Sequence, residues 1–306
     1  MSFEVGKSIE SSIQQLGQLD LHGELSIKNL DIVNPCDALA ADFTNKRHLV
    51  DLCLEWDLKR NNEDSIKERK VLENLQPFRH LEWLTIDGYG GTQFPRWLSD
   101  NSLCNVVSLT LERCKYCLWL PSLGLLTFLK HLTIEGLDEI VRIDADFYGN
   151  TSSAFPSLET LTFSDMKEWE EWQCMTGAFP RLRSLYVMNC PKLKRDMPEQ
   201  LPHLKNLYIF RCEQLVASIP RAVECLSINS CPDMNIPINY CYRFLVELSI
   251  SQCCDSLTTF PLDLFPKLSS LEFRECGNLQ MISQGQRHSD LKSLSIEKCS
   301  EFESFP

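Results

Sequence analysis

Apolar residues recur along the chain with one fixed internal spacing, L-x-x-L-x-L-x-x-C, in which L stands for Leu, Val, Ile or Phe. In the copy that begins at Leu182, the next apolar positions are Leu185 and Val187, and Cys190 follows. The alternation x-L-x-L-x predicts a short β-strand whose apolar side chains all point to one side. Regular copies begin at Leu182, Leu204, Val223, Leu245, Leu268 and Leu291.

Looser copies of the same unit fill the first half of the chain. They begin at Leu49, Leu81, Val106, Leu129 and Leu158, after a partial copy, Leu25-Ser26-Ile27. Only the copy at Val106 keeps its cysteine, Cys114. Successive starts lie 19 to 32 residues apart, while the spacing inside the unit stays constant. A drifting period with a constant internal phase is typical of stacked repeats, because one such strand cannot bury its leucines alone.

The pattern therefore predicts an α/β repeat solenoid of the leucine-rich-repeat type. We expect a horseshoe with a concave parallel β-sheet and a mostly irregular or short-helical convex side. Residues 1–306 form one domain of about 11–12 repeats: a partial repeat with a helix in 1–48, irregular repeats in 49–157 and regular repeats in 158–306. The chain stops partway through a unit, at Phe305-Pro306, and we expect it to be a fragment of a longer protein.

Two early units are long enough to carry convex helices. Asn34 is placed to cap one of them, with Pro35 at its first position. Ser65 and Glu68 have the spacing of a capping box for a second helix that runs to about Leu75. The longest turn, residues 138–157, contains the sequence GNTSS at 149–153 and is expected to be mobile.

Charge and cysteine content narrow the function. The formal net charge is −12, which argues against binding to nucleic acid or an anionic membrane, because both require clustered Lys and Arg. No apolar run is long enough to span a bilayer, and the first 18 residues lack the apolar core of a signal peptide. The fifteen cysteines are odd in number and often occupy the repeat position. This favours buried, reduced thiols in a cytoplasmic protein.

The sequence lacks the motifs of common enzymes and cofactor sites. It contains no G-x-x-x-x-G-K-[ST], G-x-S-x-G or H-E-x-x-H. The six histidines are scattered over different units and indicate no cluster. Cys114-x-x-Cys117 could be half of a zinc site and Cys253-Cys254 a redox pair, but repeat-position cysteines with incidental neighbours explain them better. We therefore predict no enzyme activity, no catalytic residue, no metal and no cofactor.

The remaining candidates are surface residues on the expected concave face. At the position after the third apolar residue, four successive units carry an acidic column of Glu55, Asp87, Glu112 and Glu135. Like charges on adjacent strands are unfavourable, so this column indicates a basic partner. The alternative is an ordinary solvated face of an acidic protein.

A second group of candidates is aromatic and lies in two later units. Its members are Tyr186, Met188, Tyr208 and Phe210. Exposed aromatic residues and methionine are common anchors of protein interfaces. The alternative is that these side chains cover one another across neighbouring strands.

Several blocks between the repeats resemble the leucine-rich-repeat region of plant coiled-coil nucleotide-binding leucine-rich-repeat (NB-LRR) disease-resistance proteins. They are LHGELSI at residues 21–27, YGGTQFPRWL at 89–98, LPSLG at 120–124, MKEWEEW at 166–172 and NCPKL at 189–193. The blocks occur in this order and the resemblance covers nearly the whole chain. It implies an intracellular immune receptor whose ATP/ADP-binding domain lies upstream and is absent from this chain.

The resemblance also implies partners. The repeats would bind a pathogen effector or a guarded host protein, and would hold the receptor's own nucleotide-binding switch domain inactive. The contact is expected on the concave face between about Leu49 and Ile209. A cytosolic substrate adaptor of a ubiquitin ligase is an alternative, although no F-box is visible. An extracellular receptor is a third possibility, but it predicts a signal peptide and L-x-G-x-I-P repeats, which this sequence lacks.

Overall fold

The computed structural model describes residues 1–6, 12–59, 64–151, 153–194, 198, 201–216, 219–234, 236 and 240–305. The chain divides into two compact units. The first comprises Met1–Trp169 and Gln173–Pro180, and the second comprises Glu170–Trp172 and Arg181–Pro306. Each unit consists of stacked copies of the repeat predicted from the sequence.

The first unit contains the looser repeats. Its strands are β1 (Ser2–Glu4), β2 (His22–Lys28), β3 (His48–Glu55), β4 (Trp83–Asp87), β5 (Ser108–Glu112), β6 (His131–Glu135), β7 (Arg142–Ile143) and β8 (Thr160–Ser164). All of these except β7 join one parallel sheet, in chain order. Leu84, Leu109 and Leu132 are in register on adjacent strands and are fully buried. The strands and their buried leucine column thus confirm the period-two prediction.

The second unit contains the regular repeats. Its strands are β9 (Glu171–Trp172), β10 (Ser184–Met188), β11 (Asn206–Phe210), β12 (Cys225–Asn229), β13 (Glu247–Ser251), β14 (Thr259–Pro261), β15 (Ser270–Arg274), β16 (Met281–Ser283) and β17 (Ser293–Glu297). Strands β10 to β13, β15 and β17 form a parallel sheet. Strands β14 and β16 lie in the segments that connect these strands, and they pair with each other in a separate two-stranded parallel sheet. The predicted fold class, a leucine-rich-repeat solenoid with a parallel sheet, is confirmed.

Short helices fill the return segments. The α-helices are α1 (Pro35–Ala40) and α2 (Ser65–Asn74). Short 3₁₀ helices lie at Ile13–Gln18, Leu30–Ile32, Phe43–Asn45, Arg96–Leu98, Asn101–Leu103, Leu123–Leu125 and Leu262–Leu264. In the described ranges, no helix combines the length and the apolar character that crossing a bilayer requires.

One capping prediction is confirmed and one is wrong. Pro35 is the first residue of α1 and Asn34 is its N-cap, although the Asn34 side chain makes no capping hydrogen bond. Helix α2 has no capping box, because its N-cap is Asp64, whose Oδ1 accepts a hydrogen bond from the Lys67 amide at 2.8 Å. Glu68 instead accepts a hydrogen bond from the Gly90 amide at 2.7 Å, so it ties the helix to the next loop.

The repeat cysteines form a ladder of hydrogen bonds under the sheet edge. The Cys212 thiol donates to the Val187 carbonyl of the preceding repeat over 3.6 Å, and the Cys212 amide donates to Cys231 Sγ over 3.4 Å. The thiols of Cys253 and Cys276 contact the preceding repeat in the same way. All fifteen cysteines are free and eight of them are buried, in agreement with reduced thiols, but Cys36 and Cys241 are exposed.

Sequence reasoning missed a backbone feature beside this ladder. The residue before each repeat cysteine has a positive φ, for example 52° at Asn189 and 50° at Arg211. This conformation turns the amide of Asn189 toward the Phe210 carbonyl, at 2.8 Å, so the strand pairing extends into the turn. Glycine takes the equivalent place at Gly88 and Gly136, where φ is 71° and 65°.

The long turn at residues 138–157 is held by aromatic packing. Phe147 and Phe155 are buried, and their ring centroids lie 4.9 Å apart. Tyr148 is also buried and packs on Phe155 at 6.0 Å. Buried rings therefore flank the 149–153 segment on both sides, and the mobility of the turn stays a prediction; Ser152 lies outside the described residues.

Candidate protein-binding face

Along the strands of the first unit, three side chains per strand alternate with the buried apolar residues. In the stacked strands these side chains form three columns, which we call the sheet face. The first column contains Glu24, Asp51, Trp83, Ser108, His131 and Thr160. The middle column contains Ser26, Cys53, Thr85, Thr110, Thr133 and Thr162. The third contains Glu55, Asp87, Glu112, Glu135 and Ser164. Short hydroxyl side chains in the middle column separate an acidic column from a mixed one.

The structure brings the four predicted acidic residues together in register. Glu55, Asp87, Glu112 and Glu135 are successive partners on β3, β4, β5 and β6. Adjacent strands are about 4.8 Å apart, so the carboxylates repel one another unless cations separate them. The placement follows from the constant phase of the repeat.

Two cationic side chains of the same chain neutralise part of the negative charge of this column. Arg113 follows β5 and binds both carboxylate oxygens of Asp87, with an Nε–Oδ1 distance of 2.8 Å. Its guanidinium also lies 3.0 Å from Glu112 Oε1. Lys28 Nζ lies 3.7 Å from Glu55 Oε2. The sequence alone did not indicate this compensation, because it depends on the strand register and on the positive φ of Arg113.

The four carboxylates therefore differ in their surroundings. Burial raises the pKa of Glu112 and the neighbouring Asp87 raises it further, while Arg113 opposes both. Glu55 accepts a hydrogen bond from Ser26 Oγ at 2.7 Å. Burial and then Glu55 raise the pKa of the Cys53 thiol to about 12. Within the part of the chain that the structure describes, no cation contacts the Glu135 carboxylate, so Glu135 offers the least compensated charge of the column.

The predicted aromatic group lies on the sheet of the second unit. Tyr186 and Tyr208 are in register, and their rings stack with centroids 4.8 Å apart and an interplanar angle of 3°. Met188 is paired with Phe210, whose ring lies 4.9 Å from the guanidinium carbon of Arg211. These contacts match the alternative in which the side chains cover one another. A binding role for the group stays a prediction.

Sequence reasoning missed a pocket in the first column of the sheet face. It has a volume of about 380 Å³ and is lined by Gly23, Glu24, Val50, Asp51 and Trp83. The signal that could have indicated it is a tryptophan at a position where the repeat exposes its side chain.

The prediction that the histidines form no cluster is wrong for His22 and His48. His22 and His48 belong to neighbouring strands and are in register, with rings stacked at 4.4 Å. Asp20 Oδ2 lies 3.0 Å from His22 Nε2. This hydrogen bond lowers the pKa of the Asp20 carboxyl group. These three side chains carry the atom types that bind transition metals, but all three are exposed. The predicted lack of a metal and of a cofactor stays a prediction.

The most distinctive sequence block, residues 89–98, packs the first unit internally. The buried Tyr89 donates from its hydroxyl to the Gln93 carbonyl at 2.8 Å. A Cβ at Gly91 would lie 2.0 Å from that hydroxyl oxygen, so only glycine fits there. Trp97 Nε1 donates to the Leu72 carbonyl of α2 at 3.2 Å. The block therefore closes a loop onto α2 and is not itself part of the sheet face.

Known proteins resemble this chain along its whole length. Residues 13–137 match the family described as R13L1/DRL21 LRRs. Putative disease resistance RPP13-like protein 1 of Arabidopsis thaliana is 35% identical over 329 residues, which cover 100% of this chain and 30% of that protein. Putative disease resistance protein RGA1 of Solanum bulbocastanum is 34% identical over 194 residues, covering 62% of this chain and 19% of that protein.

Among solved structures, the leucine-rich repeat domain of the type III effector XCV3220 (XopL) aligns with a TM-score of 0.49 and 20% identity, covering 74% of this chain and 71% of that one. The chain spans less than a third of the length of the curated relatives named above. The repeat spacing, the ordered blocks and the family match agree with one another. The chain is therefore a leucine-rich-repeat region of the plant NB-LRR disease-resistance family.

Proposed function

We propose that this chain is the recognition and autoinhibitory module of an intracellular plant immune receptor. It binds a pathogen effector or a guarded host protein, and it holds the receptor's nucleotide-binding switch domain inactive. It acts by binding and carries no catalysis of its own. The fifteen free cysteines, eight of them buried, support a reducing compartment such as the cytoplasm.

The observation that carries the proposal is the acidic column. Four carboxylates lie in register on one surface, and the two internal cations, Lys28 and Arg113, contact only Glu55, Asp87 and Glu112 among them. Glu135 stands at the end of the column, next to the uncharged Ser164. A surface with such a residual negative charge attracts a basic partner surface and speeds its association.

The test measures binding between the purified chain and a nucleotide-binding domain of the resistance family, by calorimetry at low and physiological salt. Glu135→Lys is the primary variant, because Glu135 forms no ion pair with any of the described residues. We expect roughly a fivefold to tenfold weaker affinity, with the larger difference at low salt. Glu112→Lys should weaken binding as well, but it also disturbs Arg113.

A matched control reverses charges away from the sheet face. Glu139 and Glu301 are exposed and lie outside it, so Glu139→Lys and Glu301→Lys should leave the affinity within about twofold of the wild type. If Glu135→Lys binds as well as these controls, the acidic column does not contact the switch domain. The same variants against a candidate effector then show whether the column serves recognition instead.

A further inference from the structure

The pocket in the first column of the sheet face is created by an irregularity in strand pairing. Gly23 is paired with Leu49 and Glu24 with Asp51, so Val50 is an extra residue on β3. Such a bulge bends its strand and separates neighbouring side chains. Gly23 has a φ of 71°, and no atom lies within 4 Å of the place where a Cβ would be. The missing side chain and the bulge together leave a cavity of about 380 Å³.

An aromatic ring and two carboxylates line this cavity. Trp83 is 42% exposed although it lies on a sheet otherwise rich in small polar side chains. Asp51 is its partner on β3, and Glu24 is in turn the partner of Asp51 on β2. The three groups thus stand side by side on successive strands, about 4.8 Å apart. An indole face attracts cations, and carboxylates accept charge-assisted hydrogen bonds from them.

The two carboxylates lack the compensation seen in the acidic column. Burial raises the pKa of Asp51, and the charge of Glu24 raises it further, while the amino group of Met1 lowers it. That amino group donates to the Glu24 backbone carbonyl at 2.8 Å. Among the described residues, no Lys or Arg side chain forms an ion pair with Glu24 or Asp51, whereas Glu55, Asp87 and Glu112 each have one. An added cation would therefore relieve the repulsion.

We propose that the pocket formed by Glu24, Asp51 and Trp83 binds an arginine side chain of the protein partner. This inference rests on the proposed function, because it names the partner group that docks on the sheet face. A planar guanidinium can stack on the indole and bind a carboxylate through two N–H groups at the same time. A lysine ammonium can do only one of these well, so arginine is the better match to the side chains present.

The experiment uses the whole chain labelled with 5-fluorotryptophan and the peptide acetyl-Gly-Arg-Gly-amide as the probe. The fluorine resonance of Trp83, assigned with Trp83→Phe, should shift and saturate during the titration. The resonance of Trp119, a tryptophan that is 52% exposed and outside the sheet face, should not move. A citrulline peptide keeps the shape and loses the charge, and it should bind at least about tenfold more weakly.

Two variants then test whether the peptide binds to the carboxylates of the pocket or responds only to the overall negative charge of the protein. Asp51→Asn should weaken binding of the arginine peptide about fivefold to tenfold, because a charged hydrogen-bond acceptor is lost. Asp290→Asn removes the same charge from an exposed residue outside the pocket and should have no effect. Equal binding of the arginine and citrulline peptides, tighter binding of a lysine peptide, or an unmoved Trp83 resonance would each overturn the proposal.

The outcome is independent of the test of the acidic column. A failed peptide titration together with a weakened Glu135→Lys complex rejects the arginine pocket and keeps the proposed function. A successful titration with an unchanged Glu135→Lys complex keeps the arginine pocket and rejects only the contact between the acidic column and the switch domain.

Discussion

Arg113 binds Asp87 across two neighbouring strands, and the Arg113 Nε atom lies 2.8 Å from Asp87 Oδ1. Asp87 ends β4 and is only 9% exposed, while Arg113 begins the turn after β5 with a φ of 53°. The unusual backbone conformation directs the side chain back over the sheet face. A single arginine thereby neutralises the most buried carboxylate of the acidic column.

Removing this arginine should destabilise the fold. In Arg113→Gln, Asp87 stays buried without its cation, and we expect the free energy of unfolding to fall by about 1–2 kcal/mol in urea denaturation. Asp87→Asn in the same background should recover part of the loss, because a neutral amide needs no cation. Arg274→Gln is the control: its contacts to Glu275 and Glu297 are 3.9 and 4.0 Å long, and its loss should cost less than about 0.5 kcal/mol. Equal losses in both variants would make Arg113 an ordinary surface residue.

The raised pKa of Glu112 predicts a pH dependence. Burial raises this pKa above the usual 4.5, so the folded protein holds the proton more tightly than the unfolded chain does. The stability from this group is present below pH 4.5 and is lost as the pH rises through the folded pKa. Glu112→Gln should therefore gain stability relative to the wild type at pH 7, and less or none at pH 4. Urea denaturation at the two pH values measures the difference.

The control for this pH dependence is Glu139→Gln, which removes one exposed carboxylate outside the sheet face. Its stability relative to the wild type should be the same at both pH values. A gain at pH 4 that equals the gain at pH 7 for Glu112→Gln would show that lost ionisation is not the cause.

The capping of α2 can be tested with two neighbouring residues. Asp64→Ala removes the side-chain acceptor of the Lys67 amide and should lower the free energy of unfolding by about 1 kcal/mol. Ser65→Ala should change it by less than about 0.3 kcal/mol, because Ser65 is a helical residue and alanine favours helices. If Ser65→Ala were more destabilising than Asp64→Ala, Ser65 would be the N-cap of α2 and the capping box predicted from the sequence would be correct.

The repeat spacing was enough to place the strands, because the alternation of Leu182, Leu185 and Val187 leaves only one face to bury. It also placed Glu55, Asp87, Glu112 and Glu135 in one column, since a constant phase aligns equivalent positions. It could not reveal that Arg113 lies over Asp87, because that contact depends on a positive φ in a non-glycine residue. The choice between Asp64 and Ser65 as N-cap depends on one residue of helix register, which local sequence does not resolve.

The pocket beside Trp83 could not be predicted from the sequence for a related reason. The repeat pattern aligns Leu49 with its equivalents, but the extra residue Val50 shifts the pairing between β2 and β3. A period-two pattern contains no information about such a bulge. The stacking of Tyr186 on Tyr208 was by contrast one of two outcomes that the sequence allowed, and the register of β10 and β11 decides between them.

The ladder of buried thiols makes a final prediction, about chemical reactivity. Cys36 and Cys241 are exposed, whereas the repeat cysteines Cys212, Cys253 and Cys276 are buried and donate to backbone carbonyls in the interior. Burial raises the pKa of Cys276 to about 12, so almost no reactive thiolate exists there near pH 8. With a thiol-specific disulfide reagent, the native protein should show its fastest phase from Cys36 and Cys241, whereas the buried thiols of Cys212, Cys253 and Cys276 should not react until the protein unfolds and all fifteen cysteines become accessible.

Two variants assign the fast phase. A double variant with Cys36→Ser and Cys241→Ser should lose it, whereas Cys276→Ser should keep it unchanged. Fast labelling of Cys212, Cys253 or Cys276 in the double variant, located by peptide mass spectrometry, would mean that the ladder opens on the timescale of labelling. The hydrogen bonds from Cys212, Cys253 and Cys276 to the preceding repeats would then be too weak to hold the turns closed, and the cysteines would serve as small apolar fillers only.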